Sequence, residues 1–288
     1  MTPGSGQRGE SKLAAAGIAG AATLWGLWPL WIRSGDRAIA SAFLAMALTV
    51  LPSAIRERRG ARASGAPPLT RGEILALAAL SLANTWNAWL YFRGVHAGPI
   101  AVAAITHYLA PLLVAAFAPI ALGEPRSSRT PVALVLAIAG TAILFGGGDF
   151  ARPGAKEAAA YGASSAVLFA AGILLAKKLL ARAGGAELLF WHATSSVAFL
   201  ACLGAWPELA WRPIVGGVLS GAIGGLIYYY GVKRLPAERV GVLAYFEPVA
   251  ATLVGAVFLG ETPGGLALVG GGLVIAAGAL VVTAPAAR

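Results

Sequence analysis

The chain has 288 residues, of which 58% are hydrophobic and only 12% charged, and its mean hydropathy is +0.75. Soluble domains carry about 25% charged residues, so composition excludes a soluble globular protein and leaves almost nothing for a soluble appendage. The net charge of +10 does not point to nucleic acid, because the basic residues sit in short segments between apolar runs and read as membrane-topology signals.

Apolar stretches near 20 residues recur from end to end, each long enough to cross a hydrocarbon core of about 30 Å. After a short cytoplasmic tail over 1–12, a first helix is predicted over 13–32. Arg8 and Lys12 precede it as in a signal peptide, but the run ends in Trp25, Trp28 and Trp31 instead of a small-residue cleavage site. It therefore reads as a retained helix with an interfacial aromatic end. Further helices are predicted over 38–54, 74–94, 98–122, 130–147, 157–177, 187–205, 213–233, 239–259 and 264–284. Pro99, Pro125, Pro131, Pro213, Pro236 and Pro263 fall at or just before helix starts, where a missing N–H matters least. Thr262-Pro263 has the form of an N-cap followed by the first helical residue. The hydrophilic stretch from Arg56 to Glu73, with Gly60, Gly65, Pro67 and Pro68, reads as a flexible cytoplasmic loop. In the Gly-rich segment from Gly146 to Glu157, residues 148–156 read as a connection between two halves.

The basic residues divide unevenly between the two sides of this arrangement. Arg33, Arg37, Arg93, Arg152, Lys156 and Arg212 fall on one side, and the rest of the 22 Lys and Arg fall on the other. The positive-inside rule then places both termini in the cytoplasm of a multi-pass protein of the cytoplasmic membrane. A single cysteine, Cys202, excludes an intramolecular disulfide framework and a cysteine metal site.

The two halves repeat at a spacing of 137 residues. Tyr91-Phe-Arg-Gly94 returns as Tyr228-Tyr-Tyr-Gly231, Tyr108-Leu-Ala-Pro111 as Tyr245-Phe-Glu-Pro248, and Leu122-Gly-Glu124 as Leu259-Gly-Glu261. The fold expected is all-α: ten transmembrane helices in two five-helix repeats, 13–147 and 157–284. An odd number of helices per repeat inverts the second copy, the arrangement by which many secondary transporters build two half-gates around a central site.

The paired aromatic-X-X-Pro segments, each followed by Leu-Gly-Glu, resemble the EamA-type exporters of the drug/metabolite transporter superfamily over essentially the whole chain. His107-Tyr-Leu-Ala-Pro111, Ala244-Tyr-Phe-Glu-Pro248 and Leu24-Trp25 are most similar to the aromatic amino-acid exporters among them. The resemblance implies a basket of ten helices around a central cavity, with the last helix of each half outside it. Small multidrug pumps of the same superfamily use a carboxylate in the first helix. Here Leu13 to Ile32 contains no acid, so that proton-exchange mechanism does not carry over.

Polar groups at mid-membrane depth need partners or a function. Asn84, Asn87 and Tyr91 share one helix face, either as a cavity wall or as interhelical hydrogen bonding. His107 and Tyr108 precede Pro111, and Tyr245 and Glu247 precede Pro248. A mid-helix proline removes a backbone hydrogen bond and loosens the preceding turn, so Pro111 and Pro248 are candidate hinges at matching repeat positions, or static kinks. Glu247 is the one acid well inside an apolar run, a candidate counter-ion for a substrate ammonium or a proton carrier. Trp28, Trp86, Tyr91, Tyr108, Tyr228 and Tyr245 are the aromatics expected to line a cavity, where planar apolar side chains and ammonium groups find complementary surfaces. Gly217, Gly221 and Gly225 mark a close-packing face, expected inside the bundle of a monomer. Glu124 and Glu261, where two helices end, read as structural elements of the turns, the first beside Arg126 and Arg129.

The leading expectation is a secondary transporter that exports amino acids, aromatic ones included, from the cytoplasm by alternating access. No G-x-x-x-x-G-K-[ST] loop occurs, so neither ATP nor any other cofactor is expected. One alternative is the same fold carrying another small metabolite such as a nucleotide sugar, which would want a deep basic residue. The other is an intramembrane transferase using His107 or His192, for which the chain shows no G-x-S-x-G or H-E-x-x-H.

Overall fold

The computed structural model describes residues 5–31, 35–125, 127–144, 151–258 and 265–283. Each of the ten predicted stretches contains helix, and no strand occurs among the described residues. In chain order the helices are α1 (Ser5–Trp25, followed by a single turn Trp28–Trp31), α2 (Asp36–Ala63), α3 (Arg71–Ala97) and α4 (Ile100–His107 with Ala110–Leu122). Next come α5 (Thr130–Leu144), α6 (Ala155–Leu179), α7 (Gly185–Cys202) and α8 (Trp211–Arg234). The last are α9 (Ala237–Ala244 with Phe246–Phe258) and α10 (Gly265–Val282). By length and composition α2, α4, α6, α8 and α9 are long and apolar enough to cross a membrane. Helices α1, α3 and α7 have the length but carry more polar side chains.

The hydrophilic stretch after residue 55 is largely helical. Helix α2 continues to Ala63, because Ala, Arg and Glu are good helix formers that need no apolar environment. Only residues 64–70 connect it to α3, which opens on a capping box: the Glu73 backbone N–H donates to Thr70 Oγ1 and the Thr70 N–H donates to the Glu73 carboxylate. That Thr70 N–H, with Arg182 at 2.9 Å, holds the half-buried Glu73 carboxyl below the usual carboxylate range.

Packing follows an internal two-fold pattern. Helix α3 packs on α6 as α1 packs on α8. Helix α4 meets α6 as α9 meets α1, and α2 meets α7, α5 meets α10 and α4 meets α9 directly. Small residues make these crossings close, as van der Waals packing in lipid requires. A Cβ on Gly140 of α5 would stand 2.7 Å from the Gly270 carbonyl of α10. The glycines of α8 are spent in the same way inside the chain, Gly217 and Gly221 against Ala42 and Met46 of α2, and Gly225 against Leu189 of α7.

One end of the bundle gathers the basic segments. Arg58 pairs with Glu187 at 2.9 Å, and the Glu57 carboxylate accepts the Glu187 N–H at the start of α7. Glu124 is indeed a structural element, but its partner is Lys177 at 3.0 Å rather than Arg129. Its other oxygen accepts the Ala237 N–H at 2.6 Å, so the end of α4 caps the start of α9. Lys177 also donates to the carbonyls of Val232 and Leu235, while Arg129 donates to the Thr283 carbonyl. Arg126, Leu259 to Glu261 and the Thr262-Pro263 cap lie outside the described residues.

Candidate functional site

Where the halves meet, both α4 and α9 are broken at the same repeat position. Helix α4 stops at His107 and resumes at Ala110, and α9 stops at Ala244 and resumes at Phe246. The cause is local. Pro111 and Pro248 cannot donate to the carbonyl four residues back, and the preceding turns tighten to i+3 bonds. The Leu109 N–H donates to Thr106, the Leu112 N–H to Leu109, and the Tyr245 N–H to Val242. With the Leu112 N–H diverted, the Tyr108 carbonyl accepts the hydroxyl of Tyr245 instead. The two tyrosine rings lie 5.7 Å apart.

Polar and aromatic groups from both halves converge around this joint. The Tyr108 hydroxyl lies beside the carboxyl of Glu247, which is half-buried one turn along α9. Tyr91 of α3 and Tyr228 of α8 are repeat counterparts, and Tyr228 packs against Trp25 and Tyr229. The Tyr228 hydroxyl is buried and has no hydrogen-bond partner among the described residues. The His107 ring lies 4.6 Å from that of Tyr91 and stacks on Phe169 of α6 at 5.5 Å. His107 Nδ1 is 2.7 Å from Ser165 Oγ, which donates in turn to Asn87 Oδ1 at 2.8 Å. Because the serine proton is committed to Asn87, Nδ1 is the protonated nitrogen of His107 in this arrangement.

A second joint lies beside the first. Helix α1 breaks at Gly26, which sits so close to α9 that a Cβ there would stand 2.7 Å from Ala250 Cβ and 2.9 Å from the Glu247 carbonyl oxygen. Opposite the break, α8 widens into a π-helical segment, Gly217–Ile223, a form that recurs at functional sites. It frees the Ser220 carbonyl to accept the Trp25 indole N–H at 3.0 Å, and Ser220 Oγ donates to the Leu24 carbonyl at 2.6 Å. The Trp25 ring then lies 4.7 Å from Tyr228. The aromatic end of α1 is thus turned inward at Trp25, and Trp31 also donates to Ser220 Oγ.

Of the residues expected to form a site, Tyr91, His107, Tyr108, Tyr228, Tyr245 and Glu247 are brought together at the joint between Pro111 and Pro248. Asn87 joins them through Ser165. Asn84 faces α6, where Gly172 makes room for its amide, and its Nδ2 is 3.5 Å from the Tyr229 hydroxyl. Trp28 is half-buried in the turn after α1. Trp86 stands apart, 46% exposed and packed against Trp89 and Phe199. Phe169, Ser165 and Ser220 carried no sequence expectation, and Trp25 was expected at the interface and not at the site. At the 137-residue spacing Trp25 falls opposite Gly162; only a shifted match of α1 to α6, Leu24-Trp25 against Leu168-Phe169, pairs it with Phe169.

The profile of the EamA-like transporter family matches residues 12–146 and again residues 157–283. The chain belongs to the EamA-like transporter family. An uncharacterized transporter of Archaeoglobus fulgidus is 26% identical to this EamA-like transporter over 256 residues, 86% of this chain and 88% of that one. A "Probable terminal-alkyne amino-acid exporter" of Streptantibioticus cattleyicolor is 29% identical over 214 residues, 68% of each chain. A solved crystal structure shares the fold of this EamA-like transporter at a TM-score of 0.74 and 20% identity, over 93% of this chain and 96% of the other.

Proposed function

We propose that this transporter exports amino acids, including those with aromatic side chains, across the cytoplasmic membrane by alternating access, with both termini in the cytoplasm. The observation that carries the reading is the half-buried Glu247 on α9, beside the joint where the rings of Tyr91, His107, Tyr108 and Tyr245 meet between the two halves. A carboxyl among ring faces offers an ammonium both a counter-charge and cation–π surfaces, and offers a planar side chain an apolar wall. The exporter from Streptantibioticus cattleyicolor supports amino acids as the class. Inverted five-helix halves supply the alternation. The breaks before Pro111 and Pro248 would bend in turn, so that the site opens to one side and then the other.

The test is counterflow of labelled phenylalanine or tryptophan into liposomes that hold the purified protein and unlabelled amino acid. Accumulation above protein-free liposomes is expected. Its absence with folded, inserted protein would reject amino acids as the cargo and leave the transporter family untouched.

A further inference from the structure

A second concavity lies away from the tyrosine–glutamate joint, between α2, α3 and α7, at the end of the bundle opposite the basic one. It encloses about 300 Å³, the lower end of the range for small-molecule sites. Its residues on α3, among them Thr85, Trp89 and Arg93, occupy a different face of the helix from Asn84, Asn87 and Tyr91. The pocket is therefore not an extension of the central cluster.

Its lining combines three chemistries in an ordered way. The walls are aromatic: Phe43 from α2, Trp89 and Phe92 from α3, and Phe199 from α7. Trp89 and Phe199 meet edge to face at 5.7 Å, which gives a slot of defined shape. The inner end is polar, where Thr85 Oγ1 and Ser196 Oγ lie 2.9 Å apart. The mouth carries one charge of each sign. Asp36, in the first turn of α2, and Arg93, near the end of α3, both line it and both face solvent, yet no ion pair joins either to a described residue. The Arg93 guanidinium is directed over the Trp89 ring, 5.7 Å from its centroid. A solvent-exposed anion and a solvent-exposed cation lining an aromatic slot match a zwitterion with a large apolar side chain.

We infer that this pocket is a second, low-affinity binding site for an amino acid with a large apolar side chain, with Asp36 facing its ammonium, Arg93 its carboxylate, and the slot its side chain. The ligand class rests on the amino-acid reading of the central site; the location does not. In the proposed orientation the pocket lies on the release side, where it would hold cargo that has left Glu247. Both charges are solvent-exposed, so each contributes only a modest factor to affinity.

The experiment is equilibrium binding of labelled phenylalanine to the full-length protein, with phenethylamine (no carboxylate) and 3-phenylpropionate (no ammonium) as competitors. In a Glu247→Gln background, which removes the central counter-charge, phenylalanine is expected still to bind. Asp36→Asn should then weaken phenylalanine and phenethylamine by about two- to fivefold and leave 3-phenylpropionate unchanged. Arg93→Gln should do the reverse with the two analogues. Unchanged affinities in both variants, or loss of all binding on Glu247→Gln alone, would overturn the pocket while the central reading stands. No phenylalanine binding to the unaltered protein would overturn both together.

Discussion

The hydroxyl of Tyr245 closes on the backbone carbonyl of Tyr108, its own counterpart 137 residues earlier in the chain. The contact joins the broken turn of α4 to the broken turn of α9, so α9 caps α4 at the point where that helix is weakest. Tyr108 in turn reaches Glu247 with its own hydroxyl. The joint and the candidate site are therefore one structure, and a change in either break is felt by the carboxyl.

Tyr245→Phe removes the donor and leaves a buried carbonyl without a partner. A loss of about 1–3 kcal/mol in stability is expected, measurable as a lower midpoint in thermal or denaturant unfolding in detergent. An unchanged midpoint would show that the hydroxyl does not cap the break.

Glu247→Gln keeps shape and hydrogen bonding but removes the charge. If Glu247 pairs with the substrate ammonium, apparent affinity for phenylalanine in counterflow should fall on the order of 10- to 100-fold. N-acetylphenylalanine, which has no ammonium, should compete equally with either protein. Equal affinities for phenylalanine itself would remove Glu247 from recognition.

The double variant Pro111→Ala and Pro248→Ala restores two backbone donors, which can re-form the missing bonds and straighten α4 and α9. Exchange in counterflow is expected to slow roughly tenfold, about 1.4 kcal/mol of barrier, with equilibrium binding altered far less. Exchange at the original rate would mark both breaks as static kinks.

Gly26→Ala tests the approach of α1 to α9 beside Glu247. Its Cβ meets Ala250 Cβ at 2.7 Å, and such overpacking typically costs about 1–3 kcal/mol. Gly20→Ala in the same helix, where a Cβ meets nothing within 4 Å, should instead be neutral or stabilising by about 0.5–1 kcal/mol. Comparing the two melting temperatures separates packing from helix propensity. Two equal shifts would contradict the close approach.

Much of the fold was legible because one physical constraint dominates it: backbone polar groups in lipid must bond within their own helix. Apolar runs of membrane length therefore coincide with helix among the described residues, and proline marked the starts of α4, α5, α8 and α9. The same constraint made polar residues inside those runs conspicuous, which is why Tyr91, His107, Tyr108 and Glu247 could be named before their meeting was seen. The continuation of α2 through Arg56 to Ala63 was missed because polar helix outside the membrane has no hydropathy signal. The capping of α9 by Glu124, with Lys177 as its ion partner, was missed because it links segments more than 50 residues apart.

The sequence by itself determined an all-helical membrane protein, its internal repeat and the prolines that break α4 and α9, since each follows from local composition and the missing proline N–H. Only the tertiary structure decided which freed carbonyl meets which donor. Tyr245 takes that of Tyr108 and the Trp25 indole that of Ser220, while Ser220 Oγ adds a second donor to the Leu24 carbonyl. It also put Trp86 on the outside and an Asp36–Arg93 pocket on a second face of α3. Helix periodicity says which residues share a face, but the face a neighbour covers depends on how small residues such as Gly26, Gly172 and Gly217 let the helices approach.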